Sequence, residues 1–265
     1  MRAFRIAYDG VPYHGFQRQP DVETVEGELF DALGALGVFE GEKPAGYAAA
    51  GRTDRGVSAL AQTVAFECPD WLTPAAMNGE LPEHVRAWAR ADASTVHARY
   101  DAISREYVYY LHAPNLDLDR VRGTLERLSG THDFHNLTPD EGATTRTIAE
   151  ARAVREGSFI TVRLRADGFL KQLVRRIVSL VESVGRGERD PAFVERVLSE
   201  ERLSGPEGIA SAPPEPLVLA DVEYDLAFKI DEDAAESARE IFERKRIERE
   251  AGARVAGSIE SGIDG

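Results

Sequence analysis

The segment RAFRIAY at 2–8 predicts a strand, and the Gly- and Pro-containing stretch YDGVPYHGFQRQ behind it predicts a loop. From about Thr24 onward, Val25, Leu29, Leu33 and Leu36 recur on one face, which predicts an amphipathic helix. A short apolar stretch near 46–50, a strand around 60–67, a short helix after Thr73-Pro74 and a strand at 85–91 complete a βαββαβ order. The pattern then starts again. It gives a strand at 104–111, a helix over 119–128 ending at Gly130, two strands through 147–166 and a strongly apolar helix over 169–184. A short helix opened by Asp190-Pro191 and a last strand at 217–224 close the second round. Two rounds of one order predict an α+β protein with two domains, 1–102 and 103–226, and antiparallel or mixed sheets. The remainder, 227–265, predicts a charged amphipathic helix at about 233–250 and a fraying Gly/Ser tail, an appendage to the folded body.

No run approaches the ~20 apolar residues of a membrane span, and the N-terminus lacks the apolar stretch of a signal peptide, so a cytoplasmic chain is expected. The single cysteine, Cys68, excludes an internal disulfide framework and a cysteine-rich zinc module. His132 and His135, the closest histidines, have no cysteine nearby to complete a cluster, so no metal is expected. Charge changes the picture more. Asp and Glu number 46 against 32 Lys and Arg, a formal charge of −14, and only four residues are lysine. Such a balance suits a protein adapted to high salt, where carboxylates keep the surface hydrated and self-repulsion is screened. Taken alone, the sign argues against nucleic acid as a partner. The distribution is uneven, however: Asp21–Glu42 holds seven carboxylates, whereas Ile160–Arg189 holds seven basic residues against three acidic ones. An acidic body can carry a local basic face.

The sharpest local feature is AGRTDRGVSAL at 50–60, in which Gly51 and Gly56 bracket Arg52, Thr53, Asp54 and Arg55 between apolar stretches. Glycines on both sides permit a tight loop anchored by the flanking runs, which holds a carboxylate among arginines on a fixed turn. An Asx-turn, with Asp54 bonded to its own backbone, accounts for the same spacing.

AGRTDRGVSA resembles the signature of the tRNA pseudouridine synthases of the TruA family, and further blocks follow in that family's order. They are YDGVPYHGFQRQ, Asn78 with Leu81-Pro82 ahead of the strand containing Trp88, VHARYDAISREYVYYL, GTHDFHNL, TTRTI, and GFLKQLVRRIVSLVESVGRG. The resemblance spans roughly residues 3–224. It implies the pseudouridine synthase fold, with a catalytic cleft between two domains, and a cofactor-free isomerase that converts uridine in tRNA to pseudouridine. It further implies a homodimer that grips tRNA and acts at positions 38, 39 and 40 of the anticodon arm. Together with the acidic composition it points to a halophilic archaeal member.

By the same resemblance Asp54 is the carboxylate on which the reaction depends, by addition to C6, attack at C1′, or assistance to glycal formation. An aspartate, ordinarily ionised above about pH 4, both adds and leaves readily, as a reversible step requires. Arg175 in LVRRIV is implied as its basic partner from the second domain. Tyr107 is implied as the tyrosine that stacks on the uracil, and Arg52 as the residue that helps extrude the base and hold phosphate. Gln17 is implied in substrate binding through the loop of the N-terminal block. Several positions depart from the family pattern. Phe16 stands for a tryptophan, Ser58 for a histidine, Ser179 for a glycine, and Pro216-Leu217-Val218-Leu219 for a Gly-Leu-Tyr-Leu block. Phe16 and Ser58 are expected to alter RNA contacts rather than the carboxylate chemistry. The alternative function is an idle RNA-binding or chaperone protein on the same fold, against which the joint presence of Asp54, Tyr107 and Arg175 speaks. An RRM-type module lacks its aromatic pattern in both halves, and a nucleoside hydrolase lacks clustered aspartates.

Overall fold

The computed structural model describes residues 1–263. Its first half contains β1 (Arg2–Tyr8), α1 (Val25–Ala35), β2 (Ala48–Ala49), β3 (Ser58–Phe66), α2 (Pro74–Glu80) and β4 (Val85–Asp92). The expected caps are in place. The Thr24 hydroxyl accepts from Gly27 N, the Thr73 hydroxyl accepts from Ala76 N, and Pro74 sits where its missing N–H leaves no helical bond unmade. Val25, Leu29 and Leu33 are fully buried, so the apolar stripe of α1 is the face that meets the sheet.

The second half contains β5 (Ser104–His112), α3 (Leu118–Leu128), β6 (Gly130–Asp133), β7 (Thr145–Glu156), β8 (Phe159–Ala166), α4 (Leu173–Gly185), α5 (Phe193–Val197) and β9 (Leu217–Glu223). A two-residue strand, β10 (Lys229–Ile230), leads into α6 (Glu232–Ile263). β6 and β10 stand outside the sequence expectation, α5 opens at Ala192 rather than on Asp190-Pro191, and two further elements have different bounds. The apolar helix begins at Leu173 rather than 169, because Gln172 takes a left-handed backbone (φ 61°) that no helix continues through. The C-terminal helix runs to Ile263 rather than ending near 250 in a fraying tail.

All strands join one ten-stranded mixed sheet in the order β10-β4-β1-β3-β9-β5-β8-β7-β6, with β2 on β3. Neighbours are antiparallel except β3 and β9, which pair in parallel at Ser58↔Val218 and Ala59↔Leu219. The edge strand of the second half, β9, therefore forms the seam between the halves. It inserts between β3 and β5, and its Leu219, Val222 and Tyr224 pack into the N-terminal core. In exchange Val57, at the foot of β3, packs into the C-terminal core with Tyr109, Val174 and Ile177. The two cores are thus clasped at the point where 50–57 enters the sheet. Among the described residues no helix is long and apolar enough to cross a membrane.

Candidate active site

The loop between β2 and β3 carries Asp54, and nearly every residue around it is held. Arg105 Nη2 donates to Ala50 O at 3.1 Å, and Gln62 Nε2 donates to Gly51 O at 2.9 Å. The buried Tyr8 hydroxyl meets Thr53 Oγ1 at 2.7 Å, and Phe16 N donates to Thr53 O at 3.1 Å. Val57 N donates to Asp54 O at 3.1 Å, closing a turn in which Gly56 takes φ 81°. Gly51 needs no such freedom, so only one of the two glycines serves the conformation the sequence suggested. Beside this turn Gly10 N donates to Ser58 Oγ at 3.0 Å, and a Cβ on Gly10 would lie 2.1 Å from Val57 O. The N-terminal block is packed backbone to backbone on the Asp54 loop, an approach that only glycine allows.

Asp54 is brought to Arg175. Arg175 Nη1 lies 3.0 Å from Asp54 Oδ2, and the guanidinium is braced on its far side by Nε donating to Ala212 O at 2.7 Å. Ala212 N returns a bond to Arg175 O at 3.1 Å, so the link after α5 fixes both ends of that residue. Among the described residues no backbone N–H donates to the Asp54 carboxylate, so the turn is closed by main chain and the side chain faces the second half of the molecule. The carboxylate is 28% exposed and the guanidinium 14%, a partly buried charge pair that solvent still reaches.

Tyr107 on β5 packs against both cores and meets the Phe169 ring edge-on at 5.1 Å. Burial first, and then the charge of Asp54, push its hydroxyl well above the ordinary tyrosine range, so it stays a neutral phenol. The neighbouring tyrosines divide as strand parity requires. Tyr109 is a core residue bonded to Pro213 O at 3.1 Å, and Tyr110 faces outward. Arg52 and Gln17 are exposed side chains, and among the described residues neither has an ion pair. They are not drawn into the Asp54 cluster. Phe16, expected to alter RNA contacts, is fully buried against Tyr8 with ring centroids 6.2 Å apart, because it is the inner wall of the N-terminal block.

The expected basic face on 160–189 is largely used internally. Arg163 and Arg165 both pair with the buried Glu106, Arg186 pairs with Glu182, and Arg189 donates to the carbonyls of Pro206, Glu207 and Gly208. Sequence reasoning missed Tyr8, Gln62 and Arg105 as supports of the loop. Arg105 is the most telling, since it donates to four carbonyls, those of Ala50, Arg99, Ala102 and Asp167, drawn from both halves. Its position two before Tyr107 on one strand face was the available signal.

Chemically, the cluster offers an oriented carboxylate, a fixed guanidinium and, nearby, the paired rings of Tyr107 and Phe169. A family profile described as tRNA pseudouridine synthase matches residues 125–225. The chain is 58% identical to the tRNA pseudouridine synthase A of Natronomonas pharaonis over 98% of both chains. It is 56% identical to that of Halobacterium salinarum over 98% of both, and 41% identical to that of Methanosarcina barkeri over 84% of both.

Proposed function

The chain belongs to the tRNA pseudouridine synthase A family and isomerises uridine in tRNA to pseudouridine, and we propose that it does so through the Asp54 carboxylate in the anticodon arm, at positions 38, 39 and 40. The observation that carries the site assignment is the 3.0 Å pair between Asp54 of the first half and Arg175 of the second. A carboxylate so paired is held by the guanidinium across the two halves rather than bonded to its own turn.

The reaction breaks the N1–C1′ bond, turns the base, and forms a C5–C1′ bond. The C5 hydrogen leaves as a proton and N1 gains one, so no net atom or electron is exchanged. In our reading Asp54 is the group that engages the sugar or the base while they are separated. Arg175 holds its geometry, and Tyr107 offers a ring face for the detached uracil. The Tyr107 hydroxyl, raised by burial and by Asp54, is protonated and available as a hydrogen-bond donor beside the base. Arg52 and Gln17, exposed on the Asp54 loop and the N-terminal block, fit contacts to the extruded nucleotide and its phosphate. Three adjacent targets cannot be read by one fixed base contact, so recognition rests on tRNA shape and backbone. A cytoplasmic location suits action on tRNA, and the resemblance suits a homodimer.

The test is site-resolved pseudouridine mapping of unmodified tRNA incubated with the wild type and with Asp54→Asn, at low and at molar KCl. Pseudouridine at 38–40 with wild type alone is the expected result. Product from Asp54→Asn at the wild-type rate would remove Asp54 from the reaction. Binding without product in the wild type would favour an idle RNA-binding role.

A further inference from the structure

The chain beyond Asp225 carries none of the residues assigned to the reaction, yet it reaches the N-terminal block that packs on the reacting loop. α6 buries Ala234, Ala235, Ala238 and Ile241 and lies along β4 and α2. One turn later Lys245 Nζ lies 2.7 Å from His84 Nδ1, and Arg244 Nη2 lies 2.7 Å from Glu83 Oε2. A further turn brings Arg249 Nη2 to 2.6 Å from Asp9 Oδ2. Residues 241, 245 and 249 are spaced by four, so one helix face delivers all of these contacts.

Asp9 is 6% exposed, and among the described residues Arg249 is its only ion-pair partner. Its Oδ1 accepts from Val11 N at 3.3 Å, and its own N–H donates to His84 O at 3.0 Å. The residues on either side of it are those that grip the Asp54 loop. Tyr8 holds Thr53 through the 2.7 Å hydroxyl contact, and Gly10 lies against Val57 and donates to Ser58 Oγ. Tyr8-Asp9-Gly10 therefore clasps the loop on both sides of Asp54, and the charge at the centre of that clasp is balanced from α6.

We propose that Arg249 is a positioning residue for the reaction: by neutralising Asp9 it keeps Tyr8-Asp9-Gly10 seated on the loop and so sets the direction of Asp54. A carboxylate buried without its partner draws water or turns toward solvent, and here it would carry its two neighbours with it. Displacements of about 1 Å in a reacting group lower rates by up to about 10²-fold. The pair Arg244 with Glu83 provides the internal control, since it anchors the same helix without touching Asp9 or the loop.

This inference rests on Asp54 being the reacting carboxylate, so Asp54→Asn is measured alongside. Single-turnover rate constants and tRNA Kd are compared for full-length wild type, Arg249→Met, Arg249→Lys, Arg244→Met, Asp9→Asn, and Arg249→Met combined with Asp9→Asn. The expected result is a rate about ten-fold lower in Arg249→Met with Kd within about two-fold of wild type. Arg249→Lys should recover most of the rate, Arg244→Met should keep it, and the charge-free double variant should lose less than the two single losses combined. If Arg249→Met does not fold by circular dichroism, the same split is read on Arg249→Gln. A wild-type rate in Arg249→Met, equal losses in Arg249→Met and Arg244→Met, or a loss confined to Kd would each overturn the inference. If Asp54→Asn were fully active, the reading of the site itself would fall instead.

Discussion

Replacing Arg175 by methionine removes the cation from Asp54 and the bond to Ala212 O while keeping most of the side-chain volume in α4. Unit charges at the observed 3.0 Å attract by about 5.5 kcal/mol at an effective dielectric of about 20. That figure is gross, and the exposures decide how much survives. A fully exposed bridge is worth about 0–1 kcal/mol, whereas removing one partner of a buried pair costs about 3–5 kcal/mol. With 14% and 28% exposure the pair lies between these, since the freed Asp54 can rehydrate on its exposed side but not on its buried side. A loss of about 2 kcal/mol, felt in the transition state, is about a 30-fold slower isomerisation. Single-turnover release of tritium from C5-labelled uridine in tRNA measures it directly, because the C5 hydrogen departs once per product. Arg175→Lys should fall between wild type and methionine, since an ammonium lacks the planar fork that serves Asp54 and Ala212 together. A methionine variant within about three-fold of the wild-type rate would refute the claim that the guanidinium orients the carboxylate.

Two further predictions concern the framework. Gly10→Ala should destabilise the fold by about 3 kcal/mol in urea melts, at the upper end of overpacking effects, because the added carbon meets the Val57 carbonyl at 2.1 Å and both partners are backbone; an unchanged midpoint would mean the N-terminal block is not seated on the loop. Burial raises the hydroxyls of Tyr8, Tyr13, Tyr47 and Tyr107, and pushes Tyr109 and Tyr224 up to about 12. Unfolded tyrosine ionises near 10, so this contribution to stability is complete below about pH 10 and is lost as pH rises through 12. Denaturant midpoints that stay flat from pH 9 to 12 would contradict that, and Asp54→Asn should bring Tyr107 down by removing the second cause of its shift.

How much was legible follows from where the information lies. The starts of α1 and α2 were readable to within a residue because Thr24, Thr73 and Pro74 act locally. β6 was not, since Gly130–Asp133 has no apolar alternation and is defined only by pairing with β7. The start of α4 was misplaced because Phe169 and Leu173 share a helical spacing, while the left-handed turn at Gln172 is invisible in residue type. α6 outran its expected end because Gly252, Gly257 and Gly262 read as stops at about 1 kcal/mol each relative to alanine, yet the neighbouring Ala251, Ala253 and Ala256 are strong helix formers. Asp54, Arg175 and their pairing were nameable from the family resemblance, but the path by which the chain brings them together was not. It depends on β9 lying between β3 and β5, a long-range choice that no local pattern encodes.

The same geometry explains why nearly all the positive charge is arginine. Of the 32 basic residues four are lysine, leaving 28 arginines in a chain of net charge −14. At about molar salt the Debye length is about 3 Å, so attraction over longer distances is screened away while contacts at hydrogen-bond distance persist. Arginine makes contacts of that kind with several acceptors at once. Arg105 meets four carbonyls, Arg155 meets those of Ala113, Pro114 and Leu116, and Arg175 divides itself between a carboxylate and a carbonyl. Carbonyl acceptors carry no net charge for salt to screen, and the planar fork loses little freedom in reaching them. A lysine in any of these places would present a single, strongly hydrated point charge. The site is thus held by short arginine contacts whose strength does not depend on long-range attraction, which reconciles an acidic surface with a reaction centre built on one oriented ion pair.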